Sequence, residues 1–434
     1  MAGEWRSIAF GQLLAEPVRN GIYKQKEFHG RGAKIVNMGE LFAHPRLRAV
    51  PMKRVELSDS ESDRFTLAKG DLLFARRSLV AEGAGKCSVV LDINEPTTFE
   101  SSIIRARPDR TKSDSLFLYY FFNSTSGLHC LDTIRRQVAV AGITGSDLAK
   151  LEVTLPPLAE QRAIAHVLGT LDDKIELNRR MNETLEAMAR AFFKSWFVDF
   201  DPVRAKAEGR DPGLPKPLAD LFPTRLVDSE LGEIPEGWEV GTLGDVAEHP
   251  RRSVQPDAIE PDVPYIALEH MPKRCIALAD WDVAEGLESN KFEFKKGEIL
   301  FGKLRPYFHK VGVAPIDGVC STDIVVVAPQ EPDWFAFVLG LVSSDEFVEF
   351  TNAGSTGTKM PRTSWADMAR YKFVKPPQPI PKAFTDLLRP SVERIIASLH
   401  ESRSLAALRD ALLPKLISGE LGVVCRKAEA EVMR

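Results

Sequence analysis

The sequence predicts an α+β protein built twice over: two pseudo-twofold-related mixed α/β globular domains, separated by an antiparallel two-helix coiled coil. Three observations lead there. The first is an internal repeat. Asp147-Leu148-Ala149-Lys150 and Pro156-Pro157 match Asp367-Met368-Ala369-Arg370 and Pro376-Pro377 at a constant offset of 220 residues. Upstream, Lys69-Gly70-Asp71-Leu72-Leu73-Phe74 matches Lys296-Gly297-Glu298-Ile299-Leu300-Phe301 at 227, and Trp5 and Gly11 match Trp238 and Gly244 at 233. A duplicated domain with small insertions drifts in this way, whereas solenoid repeats run only about 20–50 residues. Second, each copy ends in a long stretch with helical periodicity. Third, what precedes each stretch is a series of short β-branched or apolar runs between Gly, Pro and Asp, the pattern of strands and turns.

Taken in chain order, residues 1–157 read as the first globular domain. Ser88-Val89-Val90-Leu91 and Ser102-Ile103-Ile104 are strand candidates, and Leu116–Asn123 is a helix candidate. Pro156-Pro157 ends the strand region. From Glu160 to about Phe197 the only Gly or Pro is Gly169. There Leu168, Leu171, Ile175, Asn178, Asn182, Leu185, Ala189, Phe192 and Trp196 recur in steps of three and four, a heptad seam. Such a helix spans roughly 57 Å at 1.5 Å per residue. Leu177, Met181, Leu185 and Met188 add a second apolar stripe, more than one partner helix needs. Residues 158–198 are therefore one long helix. Residues 199–237, with Pro202, Pro212, Pro215, Pro217, Pro223 and Pro235, read as a semi-rigid, extended linker. Residues 238–380 form the second domain, with a strand at Ile324–Val327 and a helix at Trp334–Leu341. Residues 381–420 form the second long helix, with the seam Leu388, Ser391, Ile395, Ser398, Ser402, Leu405, Arg409, Leu412 and Leu416, and Gly419 is its natural stop. Residues 421–434 are a tail. Internal twofold symmetry makes the helices antiparallel. If the axis lies mid-seam, Asn178 faces Ser402 and Asn182 faces Ser398, with Ile175 near Leu405 and Leu185 near Ile395. Buried polar pairs of this kind set register.

Composition bounds the function. A chain of 434 residues with 44% hydrophobic and 27% charged residues is an ordinary globular protein. Met1–Arg6 lacks the apolar run of a secretory signal, and no segment approaches a membrane span. The five cysteines show no metal-ligand spacing with the eight histidines, as expected for reduced cytoplasmic thiols. The net charge of −4 argues against a protein that coats DNA nonspecifically, but local charge can still bind phosphate. Two similar surfaces suit a repetitive partner, and double-stranded DNA is the obvious one. Basic candidates cluster within each copy: Lys69, Arg76, Arg77, Lys86 and Arg105, then Lys303, Arg305 and Lys310.

Catalytic constellations are missing. Gly83-Ala84-Gly85-Lys86 fails the GxxxxGK[ST] spacing and reads as a glycine turn. There is no GxGxxG after a strand, no Asn-Pro-Pro-Tyr type of methyltransferase motif, and no GxSxG or HExxH. What the copies offer is recognition chemistry. Phe301-Gly302-Lys303-Leu304-Arg305-Pro306-Tyr307 supplies a glycine, two cations and an aromatic; its counterpart is Phe74-Ala75-Arg76-Arg77-Ser78-Leu79. Arginine reads guanine with two parallel hydrogen bonds. Arg135-Arg136 through Gly142, and Gly354 through Thr358-Lys359, carry groups that suit phosphates and base edges; an ordinary hairpin loop is the competing reading.

Leu155-Pro156-Pro157-Leu158-Ala159-Glu160-Gln161-Arg162-Ala163-Ile164, running into Leu171-Asp172-Asp173-Lys174-Ile175, resembles the central conserved region of type I restriction-modification specificity subunits. Asp228-Ser229-Glu230-Leu231-Gly232-Glu233-Ile234-Pro235-Glu236-Gly237-Trp238 and Leu412-Leu413-Pro414-Lys415-Leu416-Ile417-Ser418-Gly419-Glu420-Leu421 are similar to that family too, so the resemblance covers nearly the whole chain. It implies that each globular domain is a target-recognition domain for one half of a split DNA sequence. It implies that the helices act as a ruler and as a docking surface, here through Leu171, Ile175, Leu185, Met188, Phe192, Trp196, Ile395, Leu405, Leu412 and Leu416. It further implies a cytoplasmic complex with two methylation subunits and with restriction subunits, on which S-adenosylmethionine, ATP and Mg would reside. The chain itself would bind no cofactor or metal and catalyse nothing. The loop at Arg135–Gly142 departs from the Gly-Ser-Thr pattern of the second copy, so the two domains are expected to read different sequences. A fused enzyme with a diverged catalytic site and a non-DNA coiled-coil scaffold are the alternatives.

Overall fold

The computed structural model describes residues 5–136, 141–355 and 360–423, and the chain divides into two compact units. The first comprises Met1–Asp173 with Leu405–Arg434, the second Lys174–Ser404. Each long helix therefore contributes to both.

In the first unit a five-stranded sheet runs in the order Leu14–Asn20, Ile103–Pro108, Leu72–Ala75, Cys87–Val90 and Arg46–Leu47. Leu72–Ala75 is buried along its whole length, as a central strand covered on both faces must be. A three-stranded sheet of Lys53–Val55, His29–Val36 and Thr97–Phe99 lies in the same unit. The helix Ser115–Phe122 buries every residue from Phe117 to Phe122. Phe122 meets Phe10 and Phe74 edge-on, at centroid distances of 4.9 and 5.0 Å. In the second unit the strands Ala247–Glu248, Ile324–Pro329, Ile299–Gly302 and Val311–Val313 follow one another in the order of the first four strands above. Phe335–Val342 is the equivalent helix. The repeat is thus a repeat of structure, and Leu116–Asn123 and Trp334–Leu341 fall on helices as read.

Two repeated sequence signals have visible causes. Gly70 and Gly297 sit at φ +95° and +88°, where a Cβ is strained. The acid that follows ties the turn: Asp71 accepts the Ala68 N–H at 2.8 Å, and Glu298 that of Lys295 at 2.7 Å. Asp71 also takes both sides of the Arg107 guanidinium, and Glu298 pairs with Arg252. Gly11 and Gly244 lie against neighbouring backbone. A Cβ there would come 3.0 Å from the Ala149 carbonyl oxygen and 3.3 Å from that of Ala369. Gly83-Ala84-Gly85-Lys86 forms a turn before the strand Cys87–Val90, with Gly85 at φ +88°.

The helices run Leu158–Phe197 and Pro379–Ile417, with Gly419 at φ +76° just beyond. Within the second unit they are antiparallel, since Asn178 meets Ser402 (Nδ2 to Oγ, 3.2 Å) while Trp196 packs on Phe384. Within the first, Asp172 meets Arg409, while Ile164 and Leu168 share a core with Leu416 and Ile417. The expected Asn178–Ser402 pair is formed. The Asn182–Ser398 pair is not hydrogen-bonded: Ser398 donates to its own helix at Arg394, and Asn182 Oδ1 is buried without a partner.

Residues 199–237 are not an extended linker. They contain the helix Asp201–Ala207, a helical turn at Lys216–Ala219 and the hairpin Leu226–Ser229/Gly232–Pro235. Pro202 and Pro217 stand at helix starts, where a proline costs nothing. Phe200, Val203 and Phe222 enter the same core as Trp196 and Trp238. The apolar side chains between the prolines decide the outcome. Three expected docking residues also lie in the cores: Trp196 is 1% exposed, Ile395 3% and Leu416 2%.

The units differ at one set of equivalent positions. In the first, Asp172 is buried and accepts from Tyr120 Oη at 2.6 Å and Arg409 Nη1 at 2.7 Å, with Arg46 alongside at 3.8 Å. At the same offsets the second unit has Val392 for Asp172, Gly340 for Tyr120 and Ala189 for Arg409. Phe193 packs against Gly340 so closely that a Cβ there would lie 2.2 Å from its ring, and an apolar cavity of about 420 Å³ remains beside them. Asp172→Ala is expected to destabilise the fold by about 1–3 kcal/mol, because the buried Tyr120 donor loses its acceptor. Gly340→Ala is expected to cost a similar ~1–3 kcal/mol by overpacking. Urea-unfolding midpoints of the two variants check both, and unchanged midpoints would contradict this account.

Candidate nucleic-acid interface

In the first unit the fold brings the two candidate loops into register, and in the second it pairs the first candidate loop with Arg362-Thr363, just beyond the second candidate loop. In the first, Arg77 pairs with Gly142 and Ser78 with Ala141, and the Ile143 N–H donates to the Arg76 carbonyl at 3.0 Å. In the second, Leu304 bridges to Arg362, and the Thr363 N–H donates to the Lys303 carbonyl at 3.1 Å. These contacts correspond at offsets 227 and 220. Each ladder leads directly into a short helix capped by a hydroxyl, Thr144 in one and Ser364 in the other. One backbone frame thus presents Arg76-Arg77-Ser78 in one unit and Lys303-Leu304-Arg305 in the other.

The side chains on the first frame differ in how free they are. Arg77 and Lys69 are exposed, and neither side chain has an ion pair or hydrogen bond among the described residues. Arg76 is half-buried and donates to the Ser101 carbonyl at 3.2 Å. Lys86 lies 5.2 Å from the Phe42 ring. Arg136 is exposed and pairs with Asp147 at 2.7 Å. Arg135 is largely committed, donating to Ala84 at 3.1 Å and pairing with Asp132.

Arg105 is not a surface cation. It is 2% exposed and holds Glu16 at 2.8 Å and the carbonyls of Arg64 and Thr66. It lies on a strand between two others, where a charge persists only when paired.

On the second frame Lys303 is half-buried. Burial lowers its pKa first of all; Asp323 opposes the shift, and Arg362 and Arg251 add to it. Three cations around one acid, Asp323, leave positive charge that an anion would relieve. Arg305 sits at φ +52° with its guanidinium 6.0 Å from the Phe308 ring and its Nε buried without a partner. Tyr307 is half exposed. Lys310 departs from the expectation: its amine donates to the Leu268 carbonyl, and burial lowers its pKa. Thr358 and Lys359 lie outside the described residues.

Two cations missing from the sequence candidates belong to this cluster. Arg251 is exposed at φ +50°. Arg362 is 52% exposed and pairs with Asp323 at 2.8 Å. The basic pair Arg251-Arg252 just after a strand was the available signal. Nothing local marks Arg362, which reaches the cluster only through its bridge to Leu304.

Comparison with known proteins gives a consistent result. Residues 14–187 match the type I restriction modification DNA specificity domain. The chain is 30% identical over 322 residues to the specificity subunit of the type I restriction enzyme MjaIX of Methanocaldococcus jannaschii, covering 71% of this chain and 69% of that protein. It is 25% identical over 408 residues to the HindI specificity subunit of Haemophilus influenzae, covering 82% and 87%. Among solved structures, the type I S subunit from M. genitalium superposes with a TM-score of 0.57 at 15% identity, covering 95% of this chain and 96% of that one. This likeness is one of fold.

If the free cations meet phosphate, Arg77→Ala and Arg251→Ala will each weaken binding to all duplex sequences alike and lower the slope of log K against log salt by about one. Lys310→Ala will leave the slope unchanged. Salt titrations by fluorescence anisotropy distinguish the three, and an unaltered slope in the first two variants would remove these residues from the interface.

Proposed function

The chain belongs to the type I restriction-modification DNA specificity family, and on that premise we propose that it reads a bipartite DNA target, one half-site per globular unit. The observation that carries this reading is the repeated ladder. The same backbone frame occurs once in each unit with different side chains on it, and each is accompanied by cations that lack a full set of acids. Arginine and lysine so placed can anchor phosphates and read base edges. Different side chains on one frame mean two different half-site sequences.

In this reading the chain is a non-catalytic recognition component in the cytoplasm. Two methylation subunits and the restriction subunits carry the chemistry, with S-adenosylmethionine, ATP and Mg bound there. The long helices are the spacer and the docking surface. Their exposed apolar residues support the docking role: Leu177 is 59% exposed, Met188 49% and Leu408 49%. Met188 stays a candidate for contact with a partner, and Leu177 and Leu408 replace the buried Trp196, Ile395 and Leu416.

Mapping methylated adenines in DNA from cells carrying this chain with its methylation subunit tests the reading. Two short fixed sequences separated by a nonspecific spacer of constant length are expected. Methylation by the purified chain alone would overturn it in favour of a fused enzyme.

A deletion tests the spacer role. The helices are continuous over 40 and 39 residues. Removing one heptad from each shortens each by roughly 10 Å, or about three base pairs at ~3.4 Å each. That also rotates one half-site by nearly a third of a turn of about 10–10.5 base pairs. The assembled deletion variant is expected to lose the original target. Undiminished recognition of that target would leave the helices as docking surface only.

A further inference from the structure

The most exposed large apolar side chain in the described residues belongs to Leu79, at 91%, and Val80 beside it is 63% exposed. They follow directly on Arg77-Ser78, the ladder residues of the first unit. At the same offset of 227 the second unit places Tyr307 opposite Val80, one position past the equivalent of Leu79, and Tyr307 is 50% exposed. A leucine left exposed forgoes the stabilisation that burial would give it. Here an exposed apolar tip, Leu79-Val80 in one unit and Tyr307 in the other, follows the same frame in both, on a loop that also carries cations.

Both tips are held rather than loose. In the first unit the Val80 N–H donates to Ser78 Oγ at 3.2 Å, and the Gly83 N–H closes the turn on the Val80 carbonyl at 3.1 Å. In the second, Pro306-Tyr307-Phe308 is a short turn bracketed by Arg305 at φ +52° and His309 at φ +51°. Two non-glycine residues in the left-handed region store strain, which persists where a particular presentation is needed. The turn is closed by N–H groups of Phe308 and His309 donating to Arg305 and Pro306, at 2.9 and 2.7 Å. Tyr307 stands at its apex.

Two residues before Leu79, Arg77 has no partner among the described residues; Tyr307 stands on the same loop as Lys303 and Arg305, and Lys303 in turn neighbours Arg251 and Arg362. A polyanion satisfies those cations, and in duplex DNA the apolar surface that differs from one sequence to another is that of the bases. Thymine methyls and the faces of opened base steps are its two forms. We propose that Leu79 and Tyr307 are the apolar base contacts of the two half-sites, one aliphatic and one aromatic. This assignment rests on the DNA-recognition reading above and adds that part of the specificity is carried by uncharged side chains.

The test uses the chain assembled with its methylation subunit, with fluorescence anisotropy on the mapped target duplex and on a scrambled duplex of equal length. Leu79→Ala and Tyr307→Ala are each expected to weaken target binding about tenfold, in the range of a lost base-pair contact. Binding to the scrambled duplex and the salt slope stay as they were, because no charge is removed. Leu79→Met and Tyr307→Phe keep the apolar surface and restore target binding. Melting temperatures should not move, since both tips project from the fold. Target affinity equal to that of the unsubstituted complex in both alanine variants overturns the proposal, as does an equal loss on both duplexes. Loss of assembly with the methylation subunit would place the tips in a protein interface and also overturn it. If the unsubstituted complex itself fails to prefer its target, the DNA-recognition reading falls, and the base contacts with it.

Discussion

Each core is completed by side chains from the other copy's long helix, and the rest of the structure depends on that exchange. The first unit buries Leu416 and Ile417 among Phe10, Phe117 and Leu168, and the second buries Phe193, Trp196 and Phe197 among Phe337, Phe384 and Ile395. Neither half of the sequence contains all the apolar surface its own core needs. The helices are therefore committed to their cores at their ends. Leu177 and Met188 stay exposed because they lie on the opposite side of the helix, out of reach of those side chains.

Duplication supplied two equal frames, and the two have since been filled by different physics. Where the first unit buries an acid between a tyrosine and two arginines, the second has Val392, Ala189 and Gly340, with Phe193 set against the glycine. A buried carboxylate needs all its donors present at once. Replacing the set by apolar residues removes that requirement and leaves a cavity instead. The ladders show the opposite pattern: their backbone hydrogen bonds are kept in both units, while the side chains they present have changed. The backbone frame is retained, and the side chains on it vary.

Net charge says little about this surface. A chain at −4 still gathers Lys303, Arg251 and Arg362 around one acid, Asp323; burial first, and then the two arginines, lower the Lys303 pKa. The same chain spends Arg105, Arg107 and Arg135 on its own acids and carbonyls. What counts for binding is the cations left over once internal pairing is complete.

That distinction separates what was legible in the sequence from what was not. The repeat, the two helices, their direction and the Asn178–Ser402 contact could be read directly, because periodicity and constant offsets record which residues share a face. The two strand-following loops were legible as candidates for the same reason. The sequence alone could not tell that Arg105 faces Glu16, that Lys310 holds the Leu268 carbonyl, or that Arg362 joins Lys303. Each of those partners lies tens of residues away, and nothing local encodes the approach. The segment 199–237 was misread on the same ground: its prolines are a local signal, while the aromatic core that receives Phe200 and Phe222 is assembled from distant parts of the chain. Local order follows from the spacing of side chains along one segment; which charges remain free is decided only when separate segments pack together.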